Sequence, residues 1–148
     1  MPNLRDFLKG RELYHVRPDL TITDAARYMA EHNVGAVCVL DKDRLVGILS
    51  ERDLMKRVLA AQRNPATTKV SDVMTAKPVV MDIQDNWEKC GKVMKQAGIR
   101  HLPVVEGDRL IGVISLRDIL QVDLSEKAEE LKHMQDYIHY VPPSKPQI

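Results

Sequence analysis

Apolar residues along this chain follow two rhythms, and the rhythms come in the same order twice. Between Thr23 and His32 they fall at Ala25, Ala26, Met29 and Ala30, the spacing of one face of a short helix, which Asn33 with Gly35 close behind is suited to end. Two β-rich runs follow, Ala36 to Leu40 and Leu45 to Leu49, separated by Asp41-Lys42-Asp43-Arg44, which reads as a hairpin. Ser50 then opens a second helix through about Leu59. The second half predicts helix 85–97, strand 101–105, a Glu106-Gly107-Asp108 turn, strand 109–114 and a helix from Ser115. Short strands of nearly continuous Val, Ile and Leu are buried on both faces, so helices should cover the sheets.

The recurrence is literal in places. Residues 43–53, DRLVGILSERD, return at 108–118 as DRLIGVISLRD, with seven identities and three aliphatic exchanges among the other four positions. The offset of 65 also pairs Met29 with Met94, Val34 with Ile99 and Val39 with Val104, and a 66-residue shift pairs Leu4 to Leu8 with Val70 to Met74. A long period in only two copies argues for a pseudo-twofold domain rather than a stacked solenoid. The expected fold class is α+β: two pseudo-twofold-related β-α-β-β-α repeats over 1–62 and 70–122, a polar linker at 63–69 containing Pro65, and a C-terminal helix and tail over 123–148.

In that last segment Asp123 and Glu126 have capping-box spacing, and Leu124, Ala128, Leu131, Met134, Ile138 and Val141 form a helical stripe ended by Pro142-Pro143, after which the chain should be mobile. Such a stripe packs on the domain or on a second copy; a calmodulin-target helix is the sharper alternative, opposed by the acidic start of the segment. At 148 residues the chain can bury an ordinary core without a metal or disulfide. Its net charge of +1 offers no field for nucleic acid or an anionic membrane, and no apolar run approaches the roughly 20 residues of a membrane span. With no signal-like N-terminus, the expected location is the cytoplasm. Cys38 and Cys90 lack a metal-ligand or CxxC neighbour and read as small buried hydrophobes, and His32, His133 and His139 show no metal spacing.

The repeated motif carries the chemistry. Gly47 to Asp53 places a strand, a turn and a helix start within seven residues. Amides at that helix start attract anions, Ser50 adds a hydroxyl, Arg52 a cation, and Asp53 a carboxylate able to accept from a ribose diol, while Gly47 leaves room for a flat ring. Against this stands a structural role: Ser50-x-x-Asp53 and Ser115-x-x-Asp118 are also helix-capping arrangements. Capping alone does not call for Gly47 and Gly112, or Arg52 and Arg117, in the same register.

The G-h-x-S-x-x-D motif in each half, with Gly98 to Val105 before the second copy and Val73-Met74-Thr75-x-x-Pro78-Val79 opening it, resembles the tandem CBS domain, or Bateman module, over about residues 4–122. The resemblance implies adenosine-containing ligands (AMP foremost, with ADP, ATP, NAD(H) or S-adenosylmethionine as alternatives) bound in clefts between the repeats. It implies that Asp53 and Asp118 hold ribose hydroxyls while Ser50 and Ser115 contact phosphate or ribose. The Asp53 cleft would be walled by Thr75, Pro78, Val79 and Val80, with Arg100, His101 and Pro103 of the Gly98–Val105 segment beyond. The Asp118 cleft would be walled by Tyr14, His15 and Val16, with Gly35 and Ala36 in place of Arg100 and His101. It would thus lack that cationic pair, for which Arg117 substitutes only in part.

The expected function is a non-catalytic regulatory module sensing adenosine-containing ligands and modulating a separate partner protein, as a homodimer paired through helices 51–59 and 116–122. A ligand-free dimerisation or interaction module whose motifs only cap helices is the alternative. An enzyme is disfavoured: the chain has no Walker loop, HExxH or nucleophile elbow, and its recurring Ser and Asp lack an adjacent general base.

Overall fold

The computed structural model describes residues 2–139; Val141, Pro142-Pro143 and the tail lie outside the described residues. In each repeat the same devices set the long helix. Thr21 caps α2 (Ile22–His32) by accepting from the Asp24 amide at 3.3 Å, and Asn86 caps α5 (Trp87–Ala97) by accepting from Lys89 at 2.8 Å. Both helices end on left-handed residues, Asn33 and Gly98, and both bury one stripe: Ile22, Ala25 and Met29 in one, Trp87, Cys90 and Met94 in the other.

The strands follow the same correspondence. β2 (Ala36–Asp41) and β3 (Arg44–Ser50) form an antiparallel hairpin, as do β6 (His101–Glu106) and β7 (Arg109–Ser115), and each has a bulge at the same point, Val39/Leu40 and Val104/Val105. The first turn narrows to Lys42 and Asp43, both at positive φ, the geometry a two-residue hairpin demands. A short parallel strand flanks each hairpin: β1 (His15–Val16) on β2, pairing Val16 with Val39, and β5 (Met81–Asp82) on β6, pairing Met81 with Val104.

Packing departs from chain order at the repeat openings. α1 (Leu4–Leu8) lies in the second core, with Leu4 and Leu8 buried among Met81, Trp87, Leu102 and Ile114. Phe7 meets Trp87 edge-on at 4.7 Å, and the Trp87 indole N–H donates to the Pro2 carbonyl at 2.6 Å. Reciprocally, α4 (Val70–Val73) buries Val70 and Val73 in the first core. β4 (Thr75–Ala76) then pairs with β3 to make that sheet four-stranded, order β1-β2-β3-β4, whereas the second sheet is three-stranded, β5-β6-β7. Repeat boundaries at 62 and 70 therefore follow sequence but not packing, since each opening helix completes the other repeat's core. Nor is 63–69 a free linker: the Ile22 amide donates to Thr68 O at 2.9 Å, Thr23 to Pro65 O at 3.1 Å, and Thr68 is buried.

The exchange explains both motif glycines. A Cβ on Gly47 would lie 2.5 Å from Met74 Sδ and 2.9 Å from the Thr75 carbonyl oxygen; one on Gly112 would lie 2.9 Å from Leu8 Cδ2. Space beside Gly47 is thus occupied by the incoming segment, and the flat ring expected there has no room.

Both motif helices start at their serines and then differ. α3 (Glu51–Asp53) widens into a π-wound stretch, Leu54–Leu59, in which Ala60 donates to Met55 O at 2.8 Å, whereas α6 runs unbroken as an α-helix, Leu116–His139. Asp123 lies inside α6, so the expected second helix start there does not occur; its carboxylate instead pairs with Lys127 at 3.2 Å. Among the described residues, no helix is long and apolar enough to cross a membrane.

Candidate functional site

Two clefts of about 480 Å³ each open where the repeats meet, one around Asp53 and one around Asp118. Both sit inside the range of ligand pockets. Each is headed by a completed capping box. Ser50 Oγ accepts from the Asp53 amide at 3.2 Å while Asp53 Oδ2 accepts from the Ser50 amide at 3.0 Å; Ser115 and Asp118 repeat this at 3.0 and 2.9 Å. One carboxylate oxygen of each aspartate is thereby committed, and the other faces the cleft.

That second oxygen is held differently in the two clefts. Asp53 Oδ1 accepts from Thr75 Oγ at 3.2 Å, with Arg57 Nε at 3.9 Å. Asp118 Oδ1 receives the Arg11 guanidinium at 3.2 Å. A hydroxyl exchanges readily for a ligand hydroxyl, whereas displacing a guanidinium breaks a charge-assisted bond.

The Asp53 cleft is strongly basic. Arg52, Lys56, Arg57, Lys77 and Arg100 line it against only Glu51 and Asp53, and Ile48, Pro78, Val79 and Ile99 give it apolar wall. Arg57 has a structural task as well, donating to the Val73 and Met74 carbonyls at 3.1 and 2.9 Å and so pinning the incoming segment. The Asp118 cleft balances Arg11 and Arg117 against Glu12 and Asp118, with Tyr14, Gly35, Ala36 and Ser115 among its walls. Tyr14 belongs to an aromatic cluster, its ring 4.6 Å from His32, whose ring in turn lies 4.5 Å from Tyr28 at a 59° tilt.

Of the expected residues, Ser50, Arg52, Asp53, Thr75, Pro78, Val79, Arg100 and His101 converge on the first cleft, and Tyr14, Gly35, Ala36, Ser115, Arg117 and Asp118 on the second. Four do not line either. Val16 packs into the first core and Pro103 is fully buried within β6; His15 lies on the open side of β1 with its amide donating to Tyr28 Oη, and Val80 is exposed outside both linings. His101 lines both clefts, not one, and Gly35 does too. Burial holds the His101 imidazole below its ordinary range, opposed by Glu51 and Asp118 and reinforced by Arg100.

Sequence reasoning passed over Arg11, Lys56, Arg57 and Lys77. The 66-residue shift that aligned Leu4 with Val70 also aligns Arg11 with Lys77, and Arg57 follows Asp53 by one helical turn, so both signals were present. The cysteines hold no cleft position. Both are buried, and burial pushes the Cys38 thiol up to about 12 and raises Cys90.

Paired repeats that exchange their opening helices and enclose two capped-helix clefts define a tandem two-repeat module. The CBS-domain family profile matches residues 5–60 and 70–125, and the chain belongs to that family. It is 32% identical over 125 residues to the mitochondrial CBS domain-containing protein CBSX3 of Arabidopsis thaliana, covering 81% of this chain but only 61% of that protein. A CBS-domain protein structure from Agrobacterium tumefaciens superposes with a TM-score of 0.76 at 34% identity, over 82% of this chain and 99% of the other. A hexameric CBS-CP12 protein from bloom-forming cyanobacteria matches at 28% identity and TM-score 0.70, over 77% of this chain and 67% of that one. Proteins of this kind are typically regulatory rather than catalytic, and CBS domains in general bind adenosine-containing ligands.

Proposed function

We propose that this chain senses an adenosine-containing ligand in the clefts between its repeats and passes occupancy to a separate cytoplasmic partner protein. The Asp53 cleft is the stronger site and AMP its best-suited ligand. One observation carries the reading: the cleft unites an aspartate oxygen held only by an exchangeable hydroxyl and a distant Arg57, an apolar strip from Ile48 to Ile99, and five basic side chains. Asp53 then accepts from the ribose diol, displacing Thr75 Oγ; the adenine lies against Pro78, Val79 and Ile99; and Arg100 meets phosphate. ATP, NAD(H) and S-adenosylmethionine share the adenosine part and remain competitors for the same walls.

Exposed Met55, Leu59 and Leu116 on the motif helices support pairing of two modules as a homodimer, and the hexameric relative supports self-association. Ligand that shifts one repeat against the other would reach a partner through this face. The completed capping boxes favour a second reading, a ligand-free interaction module, because they give Ser50, Asp53, Ser115 and Asp118 a structural purpose.

Thermal melting separates the two. Adenosine nucleotides at a hundred times their dissociation constant add about 2.7 kcal/mol, several degrees for a domain of this size, and guanosine nucleotides add less. A melting curve unmoved by millimolar AMP, ATP, NAD(H) and S-adenosylmethionine selects the interaction module.

A further inference from the structure

Helix α6 leaves the body of the protein after Val122: every residue from Lys127 to Ile138 is exposed, yet the exposed side is not uniformly polar. Leu120, Leu124, Leu131, Met134 and Ile138 stand 54–71% exposed. With Lys127 they fall at alternating spacings of four and three residues, the a and d positions of a heptad repeat rather than the broader stripe that packs on a sheet. A solitary helical extension of a dozen residues is marginal in water, so one that carries such a seam calls for another helix.

The partner that fits is the same seam on a second copy. When two heptad helices run antiparallel, a positions pack against d positions, and here that rule closes the stripe on itself: Leu120 on Ile138, Leu124 on Met134, Lys127 on Leu131, and the same in reverse. In this register Lys127 lies beside Glu130 of the other copy, so two lysines and two glutamates flank the twofold axis in alternation. Ala128 meets its own copy on the opposite side, where a small residue permits close approach. The parallel arrangement instead stacks Lys127 on Lys127.

We propose that residues 120–138 of α6 form an antiparallel two-helix coiled coil with a second copy of this chain. The inference stands apart from nucleotide binding. It adds a self-association surface distinct from the motif-helix face at Met55 and Leu59.

Cysteine cross-linking of the full-length chain tests both the partner and the orientation. The native Cys38 and Cys90 are buried and stay out of the reaction. A double variant, Leu124→Cys with Met134→Cys, should oxidise to a covalent dimer, because each cysteine faces the other kind across the seam; neither single variant should do so. Sedimentation of Leu131→Glu should show at least about a tenfold loss of association, with the mass falling by one association step, while Lys132→Ala on the opposite face changes nothing. Exposed Leu131 tolerates the charge in the free chain, so the variant folds. Cross-linking by Leu124→Cys alone would establish a parallel seam and overturn the register. Absence of cross-links in every variant, with sedimentation of Leu131→Glu unchanged, would show that the stripe has another occupant.

Discussion

The two clefts descend from one motif, yet four aligned positions make them chemically different. Where the Asp53 cleft has Lys56, Arg57, Arg100 and His101, the equivalent residues are Gln121, Val122, Gly35 and Ala36. The aspartates, serines and capping boxes are retained in both, so the fold's requirements were met twice while most of the basic side chains stand on one side. The shared features thus measure what the architecture needs, and the differing ones what a ligand would need. His101 is the exception, since it borders both clefts and ties the neutral one to the basic one.

The largest expected effect concerns the exchanged helices. Leu4 is fully buried in the second core, so Leu4→Ala should cost about 2–5 kcal/mol in denaturant unfolding and destabilise the cleft lined by Leu8 and Arg11 along with it. A loss below about 1 kcal/mol would mean that α1 does not belong to that core. The glycines sharpen the comparison. Gly47→Ala drives a Cβ against a backbone carbonyl in a paired strand and should cost about 1–3 kcal/mol, whereas Gly112→Ala meets only the flexible end of Leu8 and should cost distinctly less. Equal losses would remove the distinction.

Much of this was legible in sequence because the repeat supplied its own alignment. Hairpins, the long helices and their left-handed ends at Asn33 and Gly98 follow from local pattern, where period and capping chemistry agree. The exchange of opening helices was not legible, although the 66-residue shift showed that those helices exist: which sheet a five-residue helix covers is decided by tertiary packing. The same ignorance misplaced Gly47, whose role is set by Met74 arriving from another part of the chain. For Arg11 the sequence offered its alignment with Lys77 but not its partner, because Asp118 lies 107 residues away.

A smaller effect tests the asymmetry at its shared wall. Burial lowers the His101 pKa, so the folded protein binds fewer protons there than the unfolded chain. The group's stabilising share is therefore present above the unfolded value near 6.5 and is lost as pH falls below it. His101→Asn should flatten the decline in stability as pH falls below about 6.5, measured by urea unfolding at each pH. An unchanged slope would place the acid sensitivity elsewhere.

The claim that the Asp53 cleft is the phosphate-bearing adenosine site is tested most directly by calorimetric titration of AMP and of adenosine into the wild type, Arg100→Ala, Asp53→Ala and Asp118→Ala. Among the described residues Arg100 contributes its backbone carbonyl to the fold, accepting from the Leu116 amide at 2.8 Å, so its side chain is removable. A charge-assisted bond to phosphate is worth roughly 1.5–3 kcal/mol. The wild type should therefore bind AMP about tenfold or more tighter than adenosine, with Arg100→Ala erasing the difference and Asp53→Ala removing the tight phase. Equal affinity for AMP and adenosine in the wild type, or a tight phase that survives Asp53→Ala and disappears in Asp118→Ala, would contradict the assignment.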